Sequence, residues 1–226
     1  MGICNIYLLG PVKGRYILID AGVKGKEKLF FRNLKRWNIA PSQIAYIIIT
    51  HAHHDHIGAL HAIKEATGAG VIIHEKEAHI LKQGIITIPR GFTHFGKIMS
   101  FLGKKFLEGR QAFEPIHAEH QVGHGEYSLD DFGFPLSIIH TPGHTDGSIS
   151  VVDKSSPQTF VGDAMFNVPL LPAGRIHPPF ADDATLLPGS WENLLKYSAR
   201  YYYPAHGRRI SRALLEKEHI ARKTSR

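Results

Sequence analysis

A cluster of metal-binding side chains occupies six consecutive positions of this 226-residue chain. The run at 51–56, HAHHDH in one-letter code, follows directly after the apolar stretch YIIIT, so a predicted strand ends at the cluster. Imidazole nitrogens and carboxylate oxygens together suit zinc, iron or manganese. His51 and His53 can converge on one ion while Asp55 and His56 reach a second. The competing interpretation, a histidine-rich surface turn, does not explain an acid at this spacing after a buried strand.

Other predicted strands also end in polar side chains of the metal-binding type, next to glycine or another small residue. These strands are the apolar runs 16–20, 136–140, 158–162 and 201–203. Functional groups gather in the loops beyond strand ends, so ligands that are far apart in sequence could meet at one edge of a sheet. The combined ligands form a two-metal set: His51, His53 and His144 for one ion, Asp55, His56 and His206 for the other, and Asp163 between them.

Strand-like and helix-like segments alternate along the chain, which predicts a layered α/β or α+β fold. The predicted strands span 3–9, 16–20, 45–50, 70–74, 136–140, 148–153, 158–162 and 201–203. A helix over 26–38 would place Phe30, Leu34 and Trp37 on one buried stripe. A second helix after a Ser190 cap would carry the stripe Trp191, Leu194, Leu195, Ser198 and Tyr202. No linker separates two domains, so the sequence predicts a single domain over 1–226.

The segment 84–125 is interpreted as an insertion, because it has scattered glycines and only a weak helical stripe. The apolar residues of that stripe are Phe95, Met99, Leu102 and Phe106, and they lie between basic residues. Such an excursion is often a lid or a binding loop. The stripe could line a substrate pocket, form a homodimer contact or pack on the domain. The histidines of the same segment are interpreted as part of a polar lid rather than as another metal site.

The amino-acid composition disfavours several classes of function. The formal charge of +7 and the pI near 9.5 suit a polyanionic partner, but seven basic residues lie within 208–226, where a solvated terminal helix explains them. No nucleic-acid motif accompanies the charge, which disfavours nucleic-acid binding. The single cysteine, Cys4, excludes an internal disulfide and a cysteine-built metal cage. No apolar run approaches the roughly 18 residues of a membrane span, so a cytoplasmic protein is expected.

Four motifs together resemble those of the metallo-β-lactamase-fold hydrolase superfamily. They are the HAHHDH run at 51–56, the TPGHT segment that contains His144, the Gly-Asp pair that ends at Asp163, and the PAHG segment that contains His206. The resemblance covers 3–207, and the order and spacing of the motifs make it specific. It implies a four-layer αβ/βα sandwich of two mixed β-sheets flanked by helices, with the metal ions at one edge.

The resemblance also implies roles for individual residues. Two cations roughly 3.5–4 Å apart would share a water molecule and lower its pKa, so that a bridging hydroxide attacks the substrate near pH 7. Asp163 would bridge the ions, and Asp55 would be the catalytic residue that orients the hydroxide and carries its proton to the leaving group. Independently of the resemblance, Arg175 and His177 follow Asp163 by a short loop, which makes them candidate contacts for a substrate carboxylate or oxyanion. Asp20 either steadies a ligand histidine or caps a turn.

The predicted reaction is hydrolysis of a small carbonyl ester, thioester or lactone, with two zinc ions expected and iron or manganese as alternatives. β-Lactamases of this fold carry cysteine or serine at the position of Asp163, and homoserine-lactone lactonases usually carry tyrosine at that of Phe166. Glyoxalase-II-type thioesterases resemble the chain better, although they have a longer C-terminal region. Three alternatives stay open: a phosphodiesterase or nuclease on the same metals, an iron-dependent enzyme similar to persulfide dioxygenases, and a non-catalytic metal-stabilised regulator.

Overall fold

Two β-sheets, each with its own helices, form the framework of the fold. A computed structural model describes residues 4–85, 87–107, 113–169 and 176–223. The chain divides into two compact units, which are 1–87 with 107–122, and 88–106 with 123–226. Each unit contains one sheet of mixed parallel and antiparallel strands, so the predicted α/β fold with two mixed sheets flanked by helices is confirmed. The single domain over 1–226 stays a prediction.

The first unit contains a five-stranded sheet. Its strands, in the order in which they lie, are β1 (Tyr7–Val12), β2 (Arg15–Ile19), β3 (Ile44–Ile48), β4 (Gly70–His74) and β5 (His120–Val122). β1 is antiparallel to β2, and the other neighbouring strands are parallel. The helices are α1 (Glu27–Arg36), α2 (His54–Ile57), α3 (Leu60–Thr67) and α4 (Glu75–Gln83).

The central strands β2, β3 and β4 are mainly apolar, and they carry buried side chains on both faces of the sheet. On one face, Leu18 and Ile47 pack in a core with Phe30 of α1. On the opposite face, Ile17 and Ile48 are also buried. Burial of each such side chain stabilises the fold by roughly 1.5–3 kcal/mol. This core therefore fixes the ends of β2 and β3, from which the predicted ligands extend.

The second unit contains a six-stranded sheet. Its strands are β6 (Glu126–Ser128), β7 (Leu136–His140), β8 (Ile149–Asp153), β9 (Gln158–Asn167), β10 (Tyr201–Gly207) and β11 (Ile210–Ser211), in the spatial order β11-β10-β9-β8-β7-β6. Only β9 and β10 are parallel neighbours. The helices are α5 (His94–Phe106), α6 (Leu187–Leu195) and α7 (Arg212–Lys223). Across the described ranges, no helix combines the length and apolar character that crossing a bilayer requires.

The predicted helix after Ser190 has a different start and end in the structure. α6 begins at Leu187, and the Ser190 hydroxyl donates a hydrogen bond to the carbonyl oxygen of Pro142 at 2.7 Å instead of capping the helix. Trp191 is buried in the core of the second unit, as the stripe predicts. α6 ends at Leu195, Ser198 is exposed beyond it, and Tyr202 shares the core but belongs to β10. The prediction of one continuous helical stripe is therefore wrong at Ser198 and Tyr202.

The predicted stripe of the first long helix is wrong at Trp37. Phe30 and Leu34 are buried, whereas Trp37 is 57% exposed. α1 ends at Arg36, and Asn38 has a φ of 56°, so the chain leaves the helical path where the third apolar residue would have faced the core.

The segment 84–125, predicted as one insertion, contributes to both units. α5 belongs to the second unit and β5 to the first. α5 meets its unit through three small residues, Gly96, Ser100 and Gly103, which recur on one side of the helix. The Ser100 hydroxyl donates to the carbonyl oxygen of Pro89 at 2.6 Å, and a side chain at residue 96 would collide with Pro179. The helix backbone therefore lies close to the rest of the unit.

Gly96→Ala tests this close contact. The added methyl group would lie 2.1 Å from the carbonyl oxygen of Pro179, so we expect the free energy of unfolding to fall by about 1–3 kcal/mol. Gly189→Ala in α6 is the matched control, because no heavy atom lies within 4 Å of its methyl group; it should be neutral or stabilise by up to about 1 kcal/mol. Urea unfolding followed by circular dichroism measures both variants. Equal unfolding midpoints would contradict the close contact.

Candidate metal centre

The histidine run lies in the loop after β3 and in the first turn of α2. His51, His53, Asp55 and His56 are all buried. The ring centroids of His51 and His53 are 4.5 Å apart, and those of His51 and His56 are 4.0 Å apart. The side chain of His54 is 45% exposed. The structure therefore gathers the four predicted ligands of this unit and leaves His54 at the surface.

A buried carboxylate orients His56. Oδ2 of Asp20 accepts a hydrogen bond from Nδ1 of His56 at 2.9 Å, and Oδ1 accepts from the backbone N–H of Thr50 at 2.8 Å. Because Nδ1 of His56 carries the donated proton, Nε2 is the ring nitrogen that holds the lone pair. Oδ2 of Asp55 lies 3.9 Å from that nitrogen. The structure thus gives Asp20 the contact with a ligand histidine that the resemblance implies.

Thr50 extends the same network to His51. The Thr50 hydroxyl lies 2.9 and 3.0 Å from the two oxygens of Asp20, and an ionised carboxylate only accepts, so the hydroxyl is the donor. The hydroxyl oxygen can then accept from Nδ1 of His51 at 3.2 Å. Nε2 of His51 is left with its lone pair. One carboxylate therefore sets the tautomers of two histidines, His56 directly and His51 through Thr50.

A sharp turn after β2 places Asp20. The residue has a φ of 58°, a left-handed conformation that aspartate tolerates better than most side chains. Its backbone N–H donates to the carbonyl oxygen of Ile48 at 2.9 Å. The N–H groups of Ala21 and Gly22 both donate to the carbonyl oxygen of His56, at 2.7 and 3.1 Å. The turn is therefore tied both to β3 and to the end of the histidine run.

Glu77 of α4 holds the middle of the histidine run. Its buried carboxylate accepts a hydrogen bond from the backbone N–H of Ala52 at 2.9 Å. Ala52 lies between His51 and His53, so this bond fixes the backbone path from one ligand to the next. A buried N–H without an acceptor is costly, which makes the contact structurally important.

Cys4 is a further side chain beside His56. Its Sγ atom lies 3.9 Å from Nδ1 of His56. Burial raises the pKa of the Cys4 thiol, and the nearby His56 acts more weakly in the opposite direction. Cys4 therefore stays protonated at neutral pH.

Three predicted ligands belong to the second unit. His144 lies in the loop between β7 and β8, Asp163 in β9 and His206 in β10. The parallel register of β9 and β10 shifts on both sides of Pro204, so β9 has extra residues on both sides of Gly162. Asp163 lies in the second of these irregularities, between Gly162 and Phe166. Bulges re-aim side chains, so this irregularity explains how neighbouring strands can direct Asp163 and His206 toward each other.

The carboxylate of Asp163 faces two histidines at once. Oδ2 lies 3.3 Å from Nε2 of His144, and Oδ1 lies 3.5 Å from Nε2 of His206. Ligand atoms around a tetrahedral zinc ion, with bonds of about 2.0–2.1 Å, are roughly 3.3–3.4 Å apart. Both separations therefore suit a carboxylate that bridges two ions, one for each histidine.

The hydrogen bond of His144 explains why a cation suits this position. Its Nδ1–H donates to the carbonyl oxygen of Phe180 at 2.9 Å, because a carbonyl oxygen only accepts. In the neutral ring, Nε2 then carries a lone pair and faces an oxygen of Asp163. Two acceptors at this distance repel each other unless a cation, either a proton or a metal ion, lies between them.

His177, predicted to contact the substrate, is buried in the second unit. Its ring centroid lies 4.6 Å from that of Trp191, whose Nε1–H donates to the carbonyl oxygen of Ala164 at 2.8 Å. His177 is therefore linked through Trp191 to the residue after Asp163, and contact with the substrate stays a prediction. Arg175, the other predicted substrate contact, lies outside the described residues.

Sequence reasoning missed three residues that orient the ligands. Thr50 could have been noticed as the hydroxyl residue directly before the first histidine. Glu77 offers no comparable signal, because an acid in an amphipathic helix is usually exposed. Phe180 acts through its backbone carbonyl, so its side-chain type carries no information about the contact with His144.

Asp20→Asn tests the carboxylate that sets both tautomers. An amide accepts at only one of its two polar atoms, so we expect zinc affinity to fall roughly 10–100-fold. The metal-free variant should also lose about 1–3 kcal/mol of unfolding free energy, because buried donors lose an acceptor. Competition with a zinc-binding dye and urea unfolding measure the two effects. Asp131→Asn, at an exposed position, is the control, and unchanged zinc affinity in Asp20→Asn would refute the orienting role.

Glu77→Ala tests the anchor of the histidine run. The variant leaves the Ala52 N–H without this acceptor, so we expect a loss of about 1–3 kcal/mol of unfolding free energy and weaker zinc binding. Glu77→Gln retains an acceptor oxygen at the same distance from the helix and should recover most of both properties. Melting temperatures with and without zinc report the difference. If Glu77→Gln is as impaired as Glu77→Ala, the hydrogen bond is not what holds the loop.

Comparisons with known proteins agree with these motifs. The sequence profile of the metallo-beta-lactamase superfamily matches residues 1–206. A probable metallo-hydrolase of Methanocaldococcus jannaschii is 33% identical over 162 residues, covering 72% of this chain and 67% of that protein. The hydroxyacylglutathione hydrolase GloC of Haemophilus influenzae is 29% identical over 184 residues, covering 81% of this chain and 75% of that protein.

The comparison with solved structures also finds the metallo-beta-lactamase fold. The crystal structure of the BLEG-1 B3 metallo-beta-lactamase matches with a TM-score of 0.70 and 26% identity, over 96% of this chain and 91% of that one. The region that the family profile matches includes the run at 51–56 as well as His144, Asp163 and His206, so the resemblance seen in the motifs is confirmed. The chain belongs to the metallo-beta-lactamase superfamily.

Proposed function

We propose that the protein is a metal-dependent hydrolase that cleaves a small carbonyl ester, thioester or lactone on two divalent ions. The proposed ligands are His51, His53 and His144 for one ion, Asp55, His56 and His206 for the other, and Asp163 for both. The observation that carries the proposal is the carboxylate of Asp163, whose two oxygens face different histidines within the second unit. Membership of the superfamily supports including the predicted ligands of the first unit in the proposed donor set.

The chemistry of the donor set fits divalent metal ions. It contains five imidazoles and two carboxylates, and buried groups of this kind are costly unless they are paired or bind a cation. Nδ1 of His51, His56 and His144 each lies within hydrogen-bonding distance of a protein oxygen, which reserves Nε2 for a metal. Zinc is the proposed metal because it favours such nitrogen and oxygen ligands. Iron and manganese bind the same donors and are the alternatives.

Asp55 is the residue we assign to proton transfer. Bound metal ions would polarise the substrate carbonyl and lower the pKa of a water molecule held near them. Oδ2 of Asp55 faces Nε2 of His56, so Oδ1 is the oxygen assigned to take a proton from the attacking water and return it to the leaving thiolate or alkoxide. The side chain is buried, which limits proton exchange with bulk water.

The relatives guide the choice of substrate class. Hydroxyacylglutathione, the substrate in the name of GloC, is a thioester, which places thioesters first in the proposal. BLEG-1 is named a β-lactamase, so a β-lactam belongs in the test. β-Lactamases of this fold carry cysteine or serine at the position of Asp163, which ranks that activity lower for this chain.

Substrate contacts, partners and location complete the proposal. Arg175 and His177 are proposed to recognise a carboxylate or oxyanion of a small-molecule substrate. With a single cysteine this chain has no internal disulfide, which suits a reducing compartment, and the proposed location is the cytoplasm. A phosphodiesterase or nuclease on the same ligands is the second candidate, because the charge of +7 would attract a polyanionic substrate.

Asp55→Asn tests the proposed reaction. The amide has nearly the same size but cannot carry the proton, so kcat/KM toward the best substrate should fall at least about 100-fold. Asp131→Asn, the same substitution at an exposed position, is the matched control and should stay within about twofold of the wild type. The assay panel contains thioesters, lactones, aryl esters, a β-lactam and bis-p-nitrophenyl phosphate, and it uses protein of measured metal content.

The outcomes separate the alternatives. Preferential hydrolysis of the phosphodiester would favour the second candidate. One iron atom per chain and no hydrolysis would overturn the hydrolase in favour of an oxygenase. Full activity in Asp55→Asn with normal metal content would refute the assigned proton transfer, and metal binding without activity on the whole panel would favour a regulator.

A further inference from the structure

α5 and its flanking residues concentrate the exposed apolar surface of the described chain. Of the twelve exposed large apolar side chains there, eight lie between residues 92 and 107. These are Phe92, Phe95, Ile98, Met99, Phe101, Leu102, Phe106 and Leu107. Scattered exposed apolar residues need no explanation, whereas a contiguous group of this size marks an interaction surface. We call these eight residues the α5 face.

The exposure of the α5 face follows from the way the helix packs. Small residues make the contact with the second unit, so the large side chains lie on the remaining surface of the helix. The stripe that the sequence suggested, from Phe95 to Phe106, is exposed at all four positions, by 39–52%, and is not part of a buried core. Ile98 and Phe101 are the most exposed members of the face, at 62% and 67%.

The charges beside the face determine what partner suits it. Lys97, Lys104 and Lys105 are exposed on α5, and the helix contains no acidic residue. Lys97 and Lys104 are seven residues apart and lie on one side of the helix, next to Phe101. Lys105 lies within the α5 face, where its long side chain can keep the ammonium group at the headgroup level. Self-association about a two-fold axis would pack this positively charged surface against its own copy, and α5 offers the lysines no acidic partner there. A broad anionic surface would instead neutralise them while the apolar side chains leave water.

We infer that α5 binds the surface of an anionic lipid bilayer, with the α5 face inserted at the level of the headgroups and the lysines beside the lipid phosphates. A helix of 13 residues is roughly 20 Å long and lies in the interface rather than across the bilayer. Amphipathic helices with large apolar residues on one side and lysines beside them bind in this way. The hydrolytic site then works at a membrane surface, although no transmembrane helix is required.

Vesicle binding tests the inference with the full-length protein. We expect co-sedimentation with vesicles of phosphatidylcholine and phosphatidylglycerol at 3:1, and binding at least tenfold weaker with phosphatidylcholine alone. Ile98→Ser with Phe101→Ser should weaken binding about tenfold or more by removing apolar insertion. Lys104→Gln with Lys105→Gln should weaken it roughly 30-fold. Ile220→Ser, which removes an equally exposed apolar residue from α7, is the matched control and should bind like the wild type.

Three results would overturn the inference. The first is a wild-type protein that does not sediment with anionic vesicles. The second is equal binding by the wild type and the Ile98→Ser, Phe101→Ser variant, when circular dichroism shows that both are folded. The third is a dimer in analytical ultracentrifugation that this variant converts to a monomer and that anionic vesicles do not dissociate, because the α5 face would then be a contact between two copies.

Discussion

The candidate metal centre depends on the direction in which its histidines donate their Nδ1 protons. In the first unit, His56 donates to Asp20 and His51 to Thr50, while in the second unit His144 donates to a backbone carbonyl oxygen. The opposite nitrogen of each ring then presents a lone pair. With the other tautomer, each ring would present an N–H group to the cation and could not bind it. Every element that places an acceptor behind a histidine is therefore part of the site.

Backbone irregularities at strand ends place those acceptors and ligands. Asp20 occupies a left-handed conformation immediately after β2, and β9 bulges at Asp163. Gly207, directly after His206, has a φ of 94°, and a side chain there would lie 2.1 Å from the carbonyl oxygen of Asn167. Regular strands would send successive side chains to opposite faces. Within each sheet, these departures from regular geometry instead bring residues of neighbouring strands together.

The sequence identified the ligand motifs because each combines a metal-binding side chain with the end of an apolar run. It predicted β4 and β7 correctly for the same reason, since each is a mainly apolar run that ends in a histidine. The strands β5, β6 and β11 have only two or three residues each, too few to show a period. The contact of Glu77 with Ala52 joins residues 25 positions apart, and only the packing of α4 against the loop brings them together.

α5 shows what periodicity alone leaves undecided. A stripe of large apolar residues predicts an amphipathic helix, but it does not say which side of the helix meets the fold. On α5 the small residues decide this, because they allow the backbone to approach the loop that contains Pro179. The N–H of Phe92 donates to the carbonyl oxygen of Pro179 at 3.0 Å, and the next residue, Phe180, supplies the acceptor for His144. The segment that leads into α5 and a proposed metal ligand thus donate hydrogen bonds to consecutive carbonyl groups of one loop.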